Sequence, residues 1–230
     1  MRKRLQNASS REKGAIKPKL IVRNLSISLD GYIAGPNQGP DNPLGEGGES
    51  LHEWCFATKT WHGYVGTEGG VTGVDDDFMA AGDVGIGATI MGRNMFGPIR
   101  GPWQDEEWQG WWGDNPPYHH DTFVLTHHER PSLPMQGGTT FHFVNDTPEA
   151  VLQQAFKAAD GKDVRLGGGS ATVRQFLRAG LVDEMHLAVV PLLLGGGARL
   201  YDDLGTLPGY TISSVVRSPA VTHLRFTRTA

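Results

Sequence analysis

Three glycines and a serine, Gly167-Gly168-Gly169-Ser170, stand where the apolar run Val164-Arg165-Leu166 gives way to a helical pattern. Glycine lets backbone approach a ligand closely, and the free N–H groups of a helix start suit a phosphate or pyrophosphate. Gly167, Gly168, Gly169, Ser170, Ala171 and Thr172 are therefore candidate cofactor contacts. The competing reading is a tight strand-to-helix turn with Ser170 as helix cap and no ligand. The dinucleotide fingerprint G-x-G-x-x-G is not met, because Thr172 stands at the third glycine. A second strand end, Met91-Gly92-Arg93-Asn94-Met95-Phe96, also opens from glycine into a helical turn. Ligands of open α/β sheets sit outside the carboxyl ends of strands, so the two ends point to one extended phosphate-bearing ligand. A third glycine end, Pro191-Leu192-Leu193-Leu194-Gly195-Gly196-Gly197, reads as a buried strand and a flexible turn.

Other reactive residue types are scattered. Asp30 precedes Gly31 after an apolar strand and is either a turn former or the polar group of an active centre. His119-His120 and His127-His128 cannot chelate one ion pairwise, since adjacent strand residues point to opposite faces. With no H-E-x-x-H and one cysteine, Cys55, no metal is expected. Asp75-Asp76-Asp77 reads as an exposed helix start, and no G-x-S-x-G nucleophile motif is present.

The elements that must hold these residues alternate. Strands are predicted at 20–29, 84–91, 122–126, 140–144, 164–166 and 183–190. A helix begins at Asp146-Thr147-Pro148-Glu149, with Val151, Leu152, Ala155, Phe156 and Ala159 on one face. Another follows Ser170 and stops at Gly180. The strands at 211–217 and 221–228 form a terminal hairpin around Ser218-Pro219. This pattern predicts an α/β fold with a mixed, mostly parallel sheet and a C-terminal antiparallel hairpin. Residues 35–82 and 97–121 are long aromatic excursions, of the kind that form lids or carry local structure.

Composition bounds the rest. Gly and Pro together supply 32 and 14 of the 230 residues, so turns are frequent. Six Trp and nine Phe argue against disorder. A net charge of −4 excludes a strongly basic nucleic-acid binder as a whole-protein reading. No stretch is apolar enough for a membrane span. A lone cysteine places the chain in a reducing setting, with a cytoplasmic location expected. The basic residues Arg2, Lys3, Arg4, Arg11 and Lys13 mark 1–18 as a flexible tail with no signal-peptide core, leaving 19–230 as a single domain.

Five motifs in order carry a resemblance. Ser28-Leu29-Asp30-Gly31-Tyr32-Ile33-Ala34, Met91-Gly92-Arg93, Gly167-Gly168-Gly169-Ser170, Leu181-Val182-Asp183-Glu184 and Val190-Pro191-Leu192-Leu193-Leu194-Gly195 together resemble the dihydrofolate reductase-like superfamily. Within it, the chain is similar to the C-terminal reductase domain of the bifunctional riboflavin-biosynthesis deaminase/reductase. The resemblance implies a three-layer fold around an eight-stranded mixed sheet, bound NADPH, a homodimer, and hydride transfer to a small planar conjugated substrate. It implies cofactor contacts at Gly92, Arg93, Asn94, Thr126, His127, His128 and the 168–172 turn. Asp30 is then the candidate catalytic group, with Ser28, Trp54 and Trp103 as candidate substrate contacts. Two departures stand out: Tyr32 replaces a lysine usual in riboflavin-type reductases, and no single acid among Glu46, Glu49 and Glu53 is identifiable as proton donor. The alternative is a nucleotide- or flavin-binding protein on the same fold without turnover.

Overall fold

The computed structural model describes residues 17–97, 101–104, 107–206 and 209–229. Of the tail expected at 1–18, residues 1–16 lie outside the described residues. In chain order the elements are β1 (Leu20–Ser28), β2 (Tyr32–Ala34), α1 (Glu53–Phe56), α2 (Lys59–Tyr64), α3 (Val74–Ala81), β3 (Ile86–Gly92), α4 (Arg93–Phe96), β4 (Asp121–Leu125), β5 (Leu133–Pro134), β6 (Thr140–Val144), α5 (Pro148–Ala159), β7 (Asp163–Leu166), α6 (Ser170–Arg178), β8 (Glu184–Val190), β9 (Ala198–Arg199), β10 (Tyr210–Arg217) and β11 (Thr222–Arg228).

The main sheet runs β10-β11-β8-β1-β7-β3-β4-β6-β5. Strands β8 to β6 are parallel, and β11, β10 and β5 add antiparallel edges. Among the described residues it has nine strands, one more than expected. The extra strand is β5, two residues long and containing Pro134, which sequence periodicity cannot register. β2 and β9 form a separate small ribbon.

Strands β3 and β8 are buried on both faces almost throughout, which explains their near-continuous apolar runs, whereas β1 and β7 are half-buried at Arg23 and Arg165. One face carries Leu20, Val22, Ile90, Val164 and Leu166 against α5 and α6, whose Val151, Ala155, Val173 and Phe176 close a single core. The other face has two separate apolar patches. Leu51, Trp54, Cys55 and Met79 cover the β8 side, and Phe96 packs with Met91, Val124, Phe141 and Phe143 on the β3–β4–β6 side. Between the patches lie the middle strands β1 and β7, which put Arg23 and Arg165 on this face. The first long excursion is structured, as its length demanded: α1, α2 and a 3-10 turn at Gly48–Leu51 fold over the sheet.

Helix termini follow the sequence signals. Thr147 Oγ1 accepts from Ala150 N at 3.3 Å, with Pro148 in the first turn. Such a cap contributes about 1 kcal/mol. The start of α6 differs from the capping alternative, because the N-cap is Gly169 and Ser170 is already the first helical residue.

Candidate functional site

The carboxyl ends of β3, β4 and β7 meet at one point. Gly92 N donates to Gly168 O at 2.7 Å, and Gly167 N to Ile90 O at 2.8 Å. These bonds lace the two glycine turns together. A side chain on Gly92 would collide with Thr172 Oγ1, so only glycine permits this approach. Gly168 has φ +116, a conformation that favours glycine. Gly169 has ordinary φ, yet a Cβ built on it meets nothing within 4 Å. Its free side is open space, backed by the first N–H groups of α6, which have no acceptor within the helix. Next door, Thr126 N pairs with Val144 O at 2.9 Å, and Thr126 Oγ1 accepts from His128 N at 3.1 Å. His127 Nδ1 lies 3.2 Å from Asn145 Oδ1.

Arg93 opens α4. Its guanidinium lies over the Trp103 ring, 3.0 Å from the centroid, and its Nε is buried without a partner. Burial, and then Arg130 beside it, push its pKa down to about 10. Arg130 also faces Trp103, at 4.8 Å. Two guanidiniums share one aromatic surface at the cleft edge.

A cleft of about 880 Å³ runs from these turns across the sheet face. Gly92, Arg93, Asn94, Thr126, His127, His128, Gly167, Gly168, Gly169, Ser170, Ala171 and Thr172 all line it. Three segments, the first and last more than 70 residues apart, thus converge on one wall. Beyond Gly167 the lining changes to Phe56, Trp61, Tyr64, Trp111, Trp112 and Tyr118. Trp61 packs on Phe56 at 4.6 Å and edge-on to Trp112 at 5.7 Å, joining the two excursions.

Residues 18–224 match the RibD C-terminal domain family. The chain belongs to this family. A Bacillus subtilis (strain 168) relative of uncharacterised function, YyaP, is 25% identical over 195 residues, covering 82% of this chain and 84% of the relative. Among solved structures, a Thermotoga maritima diaminohydroxyphosphoribosylaminopyrimidine deaminase/5-amino-6-(5-phosphoribosylamino)uracil reductase is similar with a TM-score of 0.59 at 13% identity. The match covers 92% of this chain but only 57% of that longer one. A Corynebacterium diphtheriae pyrimidine reductase-like protein gives a TM-score of 0.52 at 12% identity, over 93% of this chain and 92% of that one. These likenesses fix the three-layer α/β fold with its mixed sheet.

In this RibD C-terminal domain four expected site residues are placed away from the cleft lining. Asp30 accepts from Ser28 Oγ at 2.6 Å, Gly195 N at 2.7 Å and Leu194 N at 3.1 Å. Ser28 first, then the two backbone groups, hold its pKa down to about 2. The carboxylate is ionised and ties the end of β1 to the loop after β8. Ser28 is buried, and its hydroxyl also accepts from Tyr32 N at 2.9 Å. Trp54 is a core residue. It is 4% exposed, donates to Ser26 Oγ at 2.8 Å and meets His223 edge-on. Trp103 supports Arg93 from behind and donates to His128 O at 2.6 Å. Excursion tryptophans do line the cleft, but they are Trp61, Trp111 and Trp112. Nothing local distinguishes them, because which indole turns inward is settled by the meeting of the two excursions.

Cys55 lies at the cleft wall, where burial pushes its thiol up to about 12, so it stays protonated. Among the described residues no three His, Cys, Asp or Glu side chains converge as metal ligands. No helix among them is long and apolar enough to cross a membrane.

Proposed function

We propose that this RibD C-terminal domain is an NADPH-dependent reductase of a small, planar, conjugated substrate. The observation that carries the reading is the continuity of the cleft, from a glycine-lined phosphate-type wall into an aromatic slot. The residues present fit a dinucleotide. Gly169 offers an open backbone face, α6 offers unpaired N–H groups, and Arg93 offers a buried guanidinium nitrogen lacking an acceptor. In this reading Gly168 to Thr172 hold the pyrophosphate. Arg93, with His127 and His128, stands at the phosphate that distinguishes NADPH from NADH. The cofactor supplies hydride.

The chain's own share is orientation and dryness. Phe56, Trp61 and Trp112 present flat surfaces, which favour offset or edge contacts with a planar ring. The two excursions cover the slot and exclude water, as hydride chemistry requires. That the Thermotoga protein is named as a uracil reductase, and the Corynebacterium one as pyrimidine reductase-like, supports the same reaction class. A homodimer belongs to the same reading, and sedimentation velocity measures it.

The test has two stages. NADPH is titrated by quenching of tryptophan fluorescence, and NADPH oxidation is then followed with quinones, pterins and enones. Saturable binding with turnover of at least one planar acceptor is expected. Binding without any turnover would favour a nucleotide-binding role, and no binding would end the reading.

A further inference from the structure

The floor of the aromatic slot is charged. Arg23 on β1 and Arg165 on β7 lie on neighbouring strands, paired so that Ile21 stands opposite Arg165 and Arg23 follows two residues on, on the same face. Both line the cleft. Arginines in the middle strands of a parallel sheet displace apolar contacts and must be satisfied there.

Neither is fully satisfied by protein. Arg23 donates through Nη1 to Ala81 O at 2.6 Å and Val84 O at 2.8 Å. Arg165 donates through Nη1 to Asp83 Oδ1 at 2.7 Å, and its Nε is buried with no partner. Among the described residues neither Nη2 group has an acceptor. Among the described residues two carboxylates line the cleft: Asp146, just past β6 near His127 and Asn145, and Asp83, which is paired with Arg165 on the slot floor and also takes the Tyr64 hydroxyl. Asp163 and Glu184, farther along, are engaged by Lys19. Two guanidiniums and one carboxylate leave a net charge of +1 under a slot walled by aromatic rings.

We propose that Arg23 and Arg165 recognise a carboxylate carried by a flat ring, so that the substrate of this cleft is an aromatic or conjugated monocarboxylate. A guanidinium edge grips a carboxylate with paired, charge-assisted bonds. The single net charge suits a monoanion better than a phosphate dianion. The walls, Phe56, Trp61 and Trp112, suit the ring. Calling this molecule the substrate rests on the reductase reading; the binding itself does not.

The experiment is calorimetric titration of the purified chain with three probes: 2-naphthoate, 2-naphthamide and ribose 5-phosphate. The amide keeps the ring and removes the charge. NADPH is titrated separately, so its failure to bind would end the reductase reading without touching this one. Naphthoate should bind at least tenfold more tightly than naphthamide. Arg165→Gln should weaken naphthoate by roughly 10- to 100-fold, leaving naphthamide and NADPH unchanged. The double variant Arg165→Gln, Asp83→Asn removes the partner charge as well, and gives the same answer if the single variant fails to fold. Equal affinity for acid and amide would overturn the proposal. So would a loss confined to NADPH, or ribose 5-phosphate binding more tightly than naphthoate.

Discussion

Arg93 rests its guanidinium on the ring of Trp103, 3.0 Å from the centroid, while that indole donates to His128 O at 2.6 Å. One tryptophan therefore links the two strand ends that flank the expected phosphate position. It gives the arginine a flat platform and the backbone carbonyl of His128 a donor.

A preference for NADPH over NADH follows. A charge-assisted contact with one extra phosphate should give roughly 5- to 150-fold tighter binding at low salt. Arg93→Ala should remove most of the difference, weakening NADPH and sparing NADH. Trp103→Leu should remove part of it, since the guanidinium loses its platform. Isothermal titration with both nucleotides measures this, and equal wild-type affinities would refute the assignment.

Gly169 and Gly168 should separate binding from folding. Gly169→Val places a branched side chain in the open cleft and should abolish NADPH binding at unchanged thermal stability. Gly168→Ala forces φ +116 on an alanine and should destabilise the fold by about 1 kcal/mol or more. Normal NADPH affinity in Gly169→Val would show that the turn is only structural.

Asp30 acts here as an anchor. Asp30→Asn should lower the melting temperature at pH 7 and leave NADPH affinity near wild type. Its folded pKa of about 2 lies below the ordinary 3.8. The stabilisation is therefore present above pH 4 and lost as pH falls toward 2. The gap between wild type and variant should narrow across that window; melting curves from pH 7 to 3 follow it. A large turnover defect with no change in stability would instead return Asp30 to the chemistry.

Acid should weaken the fold at a higher pH through buried histidines. His186 Nε2 lies 3.0 Å from His223 Nδ1, whose Nε2 lies 2.8 Å from Asp75 Oδ1. Burial chiefly, and then His223, lower His186 to about 3, and burial lowers His120 to about 4. Unfolded histidine takes up a proton below about 6.5 whereas these do not. Stability is therefore full above pH 6.5 and falls as pH drops, by up to about 1.4 kcal/mol per pH unit for each such group. Urea titrations at pH 8, 6 and 5 should show the decline, and His186→Asn should flatten it. A pH-independent midpoint would contradict the burial.

The glycine turns were legible in the sequence because their requirements are local. A strand, a glycine and a helix start within a few residues fix where N–H groups point, as Gly92, Gly168 and Gly169 show. Whether Asp30 is a catalytic group and Trp54 a substrate contact turns on contacts far along the chain. Asp30 meets Gly195, and Trp54 meets Ser26 and His223. No periodicity records such partners. Asp75 belongs to the same class, since its exposed helix start turns out to hold a buried histidine. Arg23 and Arg165 did carry a usable signal: each interrupts an apolar run assigned to a central strand. A charge in that setting costs too much to be incidental.

The two faces of the sheet carry unequal burdens. The α5–α6 face keeps one closed apolar core, and the opposite face is divided by its arginines and cleft. Stability is thus banked where no ligand goes. The excursions on the far side are free to lengthen or exchange side chains, since added loop costs little closure entropy. Such an asymmetry is a recipe for evolvability: descendants of one scaffold can adopt new substrates while their folding stays untouched, and their sequences should drift fastest over the slot.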